Sequence, residues 1–176
     1  MLVKMLIAGF GGQGVLSMGL NIAEAAMLEG RNVTYLPSYG AEVRGGTANC
    51  TVAISDEEIA SPVASSPEFV VAMNQPSAIK FQHHIQSGGL FFLNSSLIET
   101  EILRGDIEIV HVPANKMAEE LGSPKAANMV MLGAFTRKSG VVEFDSVIQA
   151  LRHTLGSKKK LIDVNEKALV KGYELY

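Results

Sequence analysis

Cysteine is nearly absent from this sequence, in which Cys50 is the single one among 176 residues. One cysteine excludes a disulfide within the chain, and it excludes a metal site or an iron–sulfur cluster built from cysteines of this chain. Cys50 stands in a β-branched run, which predicts a buried thiol. Eight methionines beside one cysteine suit a reducing compartment, so we expect a cytoplasmic location.

Charged residues and long apolar runs are scarce as well. Only 19% of the residues are charged, and a net charge of −3 provides no positive field for a nucleic acid backbone. The apolar stretch at the start of the chain breaks at Gly9, which is too early for a signal peptide core or a membrane-spanning helix. We therefore expect neither a nucleic acid partner nor a membrane.

Apolar runs alternate with helical patterns, as in layered α/β proteins. The predicted strands are residues 3–8, 33–36, 47–54, 69–72, 90–93 and 107–112. The predicted helices are residues 15–28, 76–86, 115–121, 125–138, 144–155 and 167–175, the last two with Asp145 and Asn165 as N-caps. With no repeat and no linker, residues 1–176 form one domain. We expect a three-layer α/β/α fold with a Rossmann-like sheet and a helical C-terminal part.

The direction of the third strand follows from its short connection. Residues 37–46 carry no helical period, whereas a crossover between parallel strands needs a dozen or more residues and usually a helix. Strand 47–54 is therefore the candidate antiparallel member, so the sheet is expected to be mostly parallel or mixed.

Uncharged polar residues follow several predicted strands. They are the turn at residues 9–14, Ser38 and Tyr39, Asn74 and Gln75, and the stretch from Asn94 to Ser96. In open α/β sheets a ligand lies beyond the carboxyl ends of the strands, which makes this edge a candidate binding site. Turns favour the same residue types, so ordinary loop chemistry is an equal explanation.

The turn Gly9-Phe10-Gly11-Gly12-Gln13-Gly14 has the spacing G-x-G-x-x-G between a strand and a helix. Such a turn can bind a dinucleotide, contact another anion through backbone N–H groups, or allow close strand–helix packing. A dinucleotide site also needs an acid after the second strand, and this strand ends in Leu36-Pro37-Ser38-Tyr39. The sequence therefore favours packing or anion contact.

The segment that follows, Ser38-Tyr39-Gly40-Ala41-Glu42-Val43-Arg44-Gly45-Gly46, is the most informative stretch. Gly45 and Gly46 permit backbone conformations closed to other residues. Arg44 can bind a carboxylate or phosphate of a ligand, pair with Glu42, or contact a partner subunit. No nucleophile, acid–base pair or metal-ligand spacing accompanies these residues, so the chain reads as a binding or interaction module.

These motifs resemble the gamma subunit, or gamma domain, of the pyruvate and 2-oxoglutarate ferredoxin oxidoreductase family. The resemblance rests on the GGQG turn together with SYGxEVRGG, and it extends over nearly the whole chain. Further matching blocks are residues 59–62, 71–75, 88–90, 113–114, 118–122, 127–134 and 165–172.

Membership would imply one subunit of an enzyme that decarboxylates a 2-oxoacid and forms an acyl-CoA. Thiamine diphosphate, Mg²⁺ and iron–sulfur clusters are then expected on alpha- and beta-type partner subunits or a ferredoxin-like subunit. This chain would bind no cofactor and perform no chemistry alone, and CoA would be the co-substrate of the complex. The substrate leans to 2-oxoglutarate, since a short separate gamma chain resembles that group most.

By the same resemblance, the surface near CoA or the active site is expected to include residues of the two motifs. They are Gly11, Gly12, Gln13, Gly14, Ser38, Tyr39, Glu42, Arg44, Gly45 and Gly46. Two other functions compete with this one: a free-standing nucleotide-binding protein that uses the glycine turn, and a purely architectural subunit. Apolar helices at residues 15–28 and 128–135 predict exposed apolar surface on the isolated chain.

Overall fold

The computed structural model describes residues 1–40 and 46–176. In this part of the chain the strands are β1 Leu2–Phe10, β2 Asn32–Tyr39, β3 Thr47–Ser55, β4 Phe69–Ala72, β5 Leu90–Asn94 and β6 Glu108–Val112. The helices are α1 Val15–Leu28, α2 Gln75–Phe81, α3 Ala114–Glu120, α4 Ala127–Ser139, α5 Phe144–Leu155 and α6 Lys159–Tyr173, with a 3-10 turn at Pro124–Ala126.

The strands form one six-stranded sheet in the order β2-β3-β1-β4-β5-β6. Strands β1, β4, β5 and β6 are parallel neighbours, and β3 runs antiparallel to both β1 and β2. The prediction of a mixed sheet with an antiparallel third strand is confirmed. Strand β3 is antiparallel to β2 because the short connection after Tyr39 cannot accommodate a crossover helix.

Helices cover both faces of the sheet, unequally. Buried side chains from α1, α3, α4, α5 and α6 pack on one face, and α2 packs on the other with Ile98 and Ile102. On the larger side Phe135 of α4 meets Phe92 and Phe69 with ring centroids 5.1 and 5.7 Å apart. The predicted three-layer α/β/α fold is confirmed.

Helix α4 lies between the sheet and α6. Side chains of residues 128–135 are all buried, so the prediction that this helix leaves exposed apolar surface is wrong. Gly133 and Gly172 make the close crossing possible, because a β-carbon at Gly133 would overlap the Leu169 carbonyl and one at Gly172 the Val130 carbonyl. The apolar area of α4 is used within the chain.

Two predicted helix ends differ from the structure by more than one helical turn. Helix α2 ends at Phe81, and α6 begins at Lys159, well before residue 167. Asp145 lies inside the first turn of α5, whose N-cap is Glu143. Asn165 lies within α6 and donates from Nδ2 to the Leu161 carbonyl at 2.8 Å. Neither predicted cap residue is a cap, because both helices begin upstream of the polar residue.

Candidate functional site

The carboxyl ends of the parallel strands meet at one edge of the sheet, as predicted. The registers place Ala8 of β1 beside Ala72, Ala72 beside Leu93, and Leu93 beside His111. The segments after these strands therefore converge: the glycine turn that follows β1, Met73 directly after β4, and the residues that follow β5 and β6. We call this region the carboxyl edge.

Two glycines of the turn are required by conformation and packing. Gly12 has φ of +94° and Gly14 has φ of +74°, values that other residues rarely adopt. A β-carbon at Gly14 would overlap the Asn128 amide, and Asn128 Nδ2 donates to the Gly14 carbonyl at 3.2 Å. A β-carbon at Gly9 would lie 2.6 Å from Gln13 Oε1. Close strand–helix packing is thus one role of the motif.

Gln13 is held by the protein on both ends of its amide. Its Oε1 accepts from the Phe10 N–H at 2.7 Å and from Asn74 Nδ2 at 3.1 Å, and its Nε2 donates to the Met73 carbonyl at 3.2 Å. Asn74 in turn caps α2 by accepting the Ser77 N–H at 2.9 Å. The Gln13 side chain therefore shapes the turn from inside.

A cleft of about 320 Å³ opens where α1 begins, and we call it the glycine-turn cleft. Its lining residues are Phe10, Gly11, Gly12, Gly14, Val15, Leu16, Ser17, Tyr39, Thr47 and Ala48. None of these residues carries a charged side chain, and the first turn of α1 presents backbone N–H groups with partial positive charge. The cleft is suited to a neutral or anionic group of a ligand.

The end of β2 contributes one of its two candidate residues to this cleft. Tyr39 is 63% exposed and lines it. Ser38 pairs with Asn49 in the β2–β3 register, and alternation along the strand turns its side chain to the opposite face. Below Tyr39, Tyr35 donates to the Leu16 carbonyl at 3.4 Å, and burial raises the pKa of Tyr35 to about 12.

Glu42, Arg44 and Gly45 lie outside the described residues. Their chain neighbours are anchored beside the glycine turn, because the Gly11 N–H donates to the Gly46 carbonyl and the Gly40 N–H to the Thr47 carbonyl, both at 2.8 Å. Both ends of the segment therefore belong to the carboxyl edge.

A second cleft, of about 230 Å³, lies on the other side of Gly12, and we call it the Lys125 cleft. It is lined by Gly12, Gln13, Met73, Asn115, Pro124, Lys125 and Ala127. Sequence reasoning missed Asn115, Lys125 and Asn128 as members of this edge. The available signal for Asn128 was a single polar residue inside the apolar run of residues 126–135.

Cys50 lies in the core against helix α1. Cys50 is buried beneath Gly19, with Sγ 3.6 Å from the Val15 carbonyl, as its β-branched surroundings predict. Burial raises the pKa of the Cys50 thiol to about 12.

Among the helices formed by residues 1–40 and 46–176, none has the length and apolar character of a bilayer span.

The family model described as pyruvate ferredoxin/flavodoxin oxidoreductase matches residues 4–175. The chain is 42% identical over 174 residues to ketoisovalerate oxidoreductase subunit VorA from Methanothermobacter thermautotrophicus, covering 98% of this chain and 36% of the relative. It thus spans about a third of the length of the first curated relatives that it matches.

Two solved structures have the same fold over nearly the whole chain. The keto/oxoacid ferredoxin oxidoreductase gamma subunit from Geobacter sulfurreducens PCA is 28% identical, with a TM-score of 0.83, and the match covers 98% of this chain and 96% of that one. The 2-oxoglutarate:ferredoxin oxidoreductase from Magnetococcus marinus, with 2-oxoglutarate, coenzyme A and succinyl-CoA bound, is 25% identical with a TM-score of 0.90. That match covers 99% of this chain and 31% of the other.

Proposed function

The chain belongs to the pyruvate ferredoxin/flavodoxin oxidoreductase family, and on this premise we propose that it is the gamma-type subunit of a CoA-dependent 2-oxoacid oxidoreductase. The observation that carries the proposal is the match over residues 4–175, which includes both motifs of the carboxyl edge. The relatives are named for ketoisovalerate and for 2-oxoglutarate, so the proposed substrate is the class of 2-oxoacids.

The chemistry is proposed to belong to partner subunits of alpha and beta type. Thiamine diphosphate, Mg²⁺ and iron–sulfur clusters would supply decarboxylation and electron transfer there. Cys50 is unsuited to hold a cluster, because it is alone in the sequence and its thiol is buried and protonated. The role of this chain is then to assemble with the partners and to form part of the CoA surface.

The glycine-turn cleft is the proposed CoA surface of this chain. Backbone N–H groups of the turn and of the first turn of α1 suit the phosphate or amide oxygens of CoA. Gly11, Gly12, Gly14 and Tyr39 line the cleft, and Gln13 acts as a positioning residue behind it. Arg44 with Glu42 and Gly45 is proposed to complete the surface, from the segment between Gly40 and Gly46.

Sheet order argues against a free-standing dinucleotide-binding protein. In the dinucleotide-binding fold the second strand lies next to the first, and an acidic residue at the end of the second strand binds the ribose. Here the antiparallel β3 separates β1 from β2, and β2 ends in Ser38 and Tyr39. A purely architectural role would leave the glycine-turn cleft without a ligand.

The test is reconstitution. The chain is tagged, partners that copurify are identified by mass spectrometry, and acyl-CoA formation is measured for ketoisovalerate, 2-oxoglutarate and pyruvate. We expect activity with one 2-oxoacid that requires CoA and is lost when this chain is omitted. Turnover of a 2-oxoacid by the isolated chain, or full acyl-CoA formation without it, would refute the proposed function.

A further inference from the structure

The orientation of one amide side chain at the carboxyl edge is determined by the backbone. Asn94 is fully buried, and its Oδ1 accepts the Ala114 N–H at 3.2 Å. Because a backbone N–H can only donate, this oxygen assignment is fixed, and Asn94 Nδ2 must donate elsewhere. It donates to the Met73 carbonyl at 3.1 Å and to Asn115 Oδ1 at 2.7 Å.

The hydrogen bond from Asn94 also fixes the orientation of the Asn115 amide. Its oxygen is used by Asn94, so its NH₂ group remains as the donor of a side chain that lines the Lys125 cleft. Met73, which accepts from both Gln13 and Asn94, ties this arrangement to the glycine turn. The donor is therefore held in place before any ligand binds, which reduces the entropy cost of binding.

The described residues that line the Lys125 cleft carry one cation, Lys125, and no carboxylate. Its volume of about 230 Å³ is several times the share of one liquid water, about 30 Å³, so a polyatomic anion fits. The adjoining cleft of about 350 Å³, which shares Asn115, contains both Lys116 and Glu119 and is mixed in charge. Both clefts thus combine a lysine with the Asn115 donor, but of the two only the Lys125 cleft has no carboxylate among its described lining residues.

We propose that the Lys125 cleft binds a phosphate group, with Lys125 as the cation and Asn115 Nδ2 as the oriented donor. This site is separate from the glycine-turn cleft, to which it is joined through Gly12. The phosphate can belong to a small anion or to CoA, and the second source rests on the proposed function.

The first experiment titrates the full isotope-labelled chain with inorganic phosphate and follows the Asn115 side-chain NH₂ and Gly12 backbone signals by NMR. We expect saturable shifts that weaken at high ionic strength. Lys125→Gln should weaken phosphate binding about ten- to hundredfold, as expected for a lost charged hydrogen bond. Lys80→Gln is the matched control, since Lys80 lies on α2, away from the carboxyl edge, and should leave binding unchanged.

Asn115→Asp replaces the donor NH₂ group with a carboxylate oxygen and keeps the oxygen that accepts from Asn94 Nδ2. Phosphate binding should then be lost more completely than in Asn115→Ala. An unchanged Asn94 side-chain signal in Asn115→Asp verifies that the surrounding hydrogen bonds persist. If that signal shifts, the effect of Lys125→Gln on phosphate affinity is the deciding test of the site. No saturable shift in the natural chain, or equal affinity in the natural chain and Lys125→Gln, overturns the site.

The second experiment separates the two phosphate sources. Tighter binding of adenosine 3′,5′-bisphosphate than of inorganic phosphate supports CoA, and equal affinity supports a small-anion site. Pantetheine, which has no phosphate, should not compete, and competition by it would overturn the phosphate assignment. Failure of the reconstituted complex to form acyl-CoA, with phosphate binding intact, would refute the proposed function and leave this site standing.

Discussion

Gln13 shows how one side chain can hold a turn together from inside while it also lines the neighbouring Lys125 cleft. Its amide satisfies the Phe10 N–H, the Met73 carbonyl and the Asn74 amide, which lie on two segments of the carboxyl edge. These partners are 3, 60 and 61 residues away in sequence. The sequence indicated a polar residue in a glycine turn, but these long-range partners could not be read from it. The expected place of Gln13 on the CoA or active-site surface stays a prediction.

Cys50 should be unreactive in the folded chain. A thiol pKa of about 12 leaves roughly one thiolate in ten thousand at pH 8, and burial excludes the reagent as well. We expect no alkylation by iodoacetamide at pH 8 under native conditions and complete alkylation in urea, measured by intact mass. Because burial excludes the reagent, native alkylation should stay undetectable from pH 7 to 9, although the small thiolate fraction rises about tenfold with each pH unit. Rapid native modification would contradict the buried assignment.

Arg44→Ala tests the proposed CoA surface in the assembled enzyme. Loss of one phosphate contact at a partly wet site should cost about 1–3 kcal/mol, roughly a five- to hundredfold rise in the CoA concentration required. Decarboxylation should be largely unaffected, because it is proposed to occur on thiamine diphosphate of other subunits. Arg44→Lys should recover only part of the loss, since a point charge cannot form two parallel hydrogen bonds.

The same variant distinguishes the alternatives for Arg44. If the residue contacts a partner subunit, the mutant complex dissociates and both half-reactions fail together, which mass measurement detects. An intact complex with unchanged CoA dependence would make Arg44 a local structural residue.

At the scale of elements, local patterns were sufficient for strands and insufficient for helix ends. All six strands were predicted within a few residues, because buried runs such as Phe69–Ala72 are bounded by turn residues. Helix α6 was predicted eight residues short, since its first turns carry Lys159 and Lys160 and little apolar periodicity. No residue of α6 before Lys167 is fully buried, so no core pattern was available to reveal that part.

The crossing of α4 and α6 gives the element-scale prediction. Gly133→Ala and Gly172→Ala should each lower the free energy of unfolding by about 3 kcal/mol, because the added methyl group meets the backbone of the facing helix, which has little room to move. Gly105→Ala is the control: a β-carbon there meets open space, and the change should stay within about 0.5 kcal/mol. Urea denaturation monitored by circular dichroism measures all three.

An equal, small loss in Gly133→Ala, Gly172→Ala and Gly105→Ala would mean that the helices separate easily. The close approach of α4 and α6 would then have little value for stability.

At the scale of the whole molecule, strand β2 forms one edge of the sheet, and this edge is a candidate surface for contact with partner subunits. Strand β2 is an edge strand without a charged residue between Asn32 and Tyr39, whereas exposed edges usually carry charge. On α1, Leu20 is 46% exposed and Met27 63%, two helical turns apart on one side. Asn21 on the same helix is buried, and its Nδ2 donates to the Ser17 carbonyl at 2.9 Å.

Leu20→Glu and Met27→Glu should therefore block assembly while leaving the chain folded. Both side chains are largely solvated in the isolated chain, so a carboxylate costs little there, but it would be desolvated in a subunit interface. We expect an unchanged melting temperature, with loss of copurifying partners and of acyl-CoA formation. Leu103→Glu is the matched control, because Leu103 is 82% exposed and distant in sequence from both α1 and β2. If both α1 variants assemble as well as Leu103→Glu does, partners bind elsewhere on the chain. The uncharged edge of β2 is then tested by Leu36→Lys, which should block assembly if partners bind along that strand.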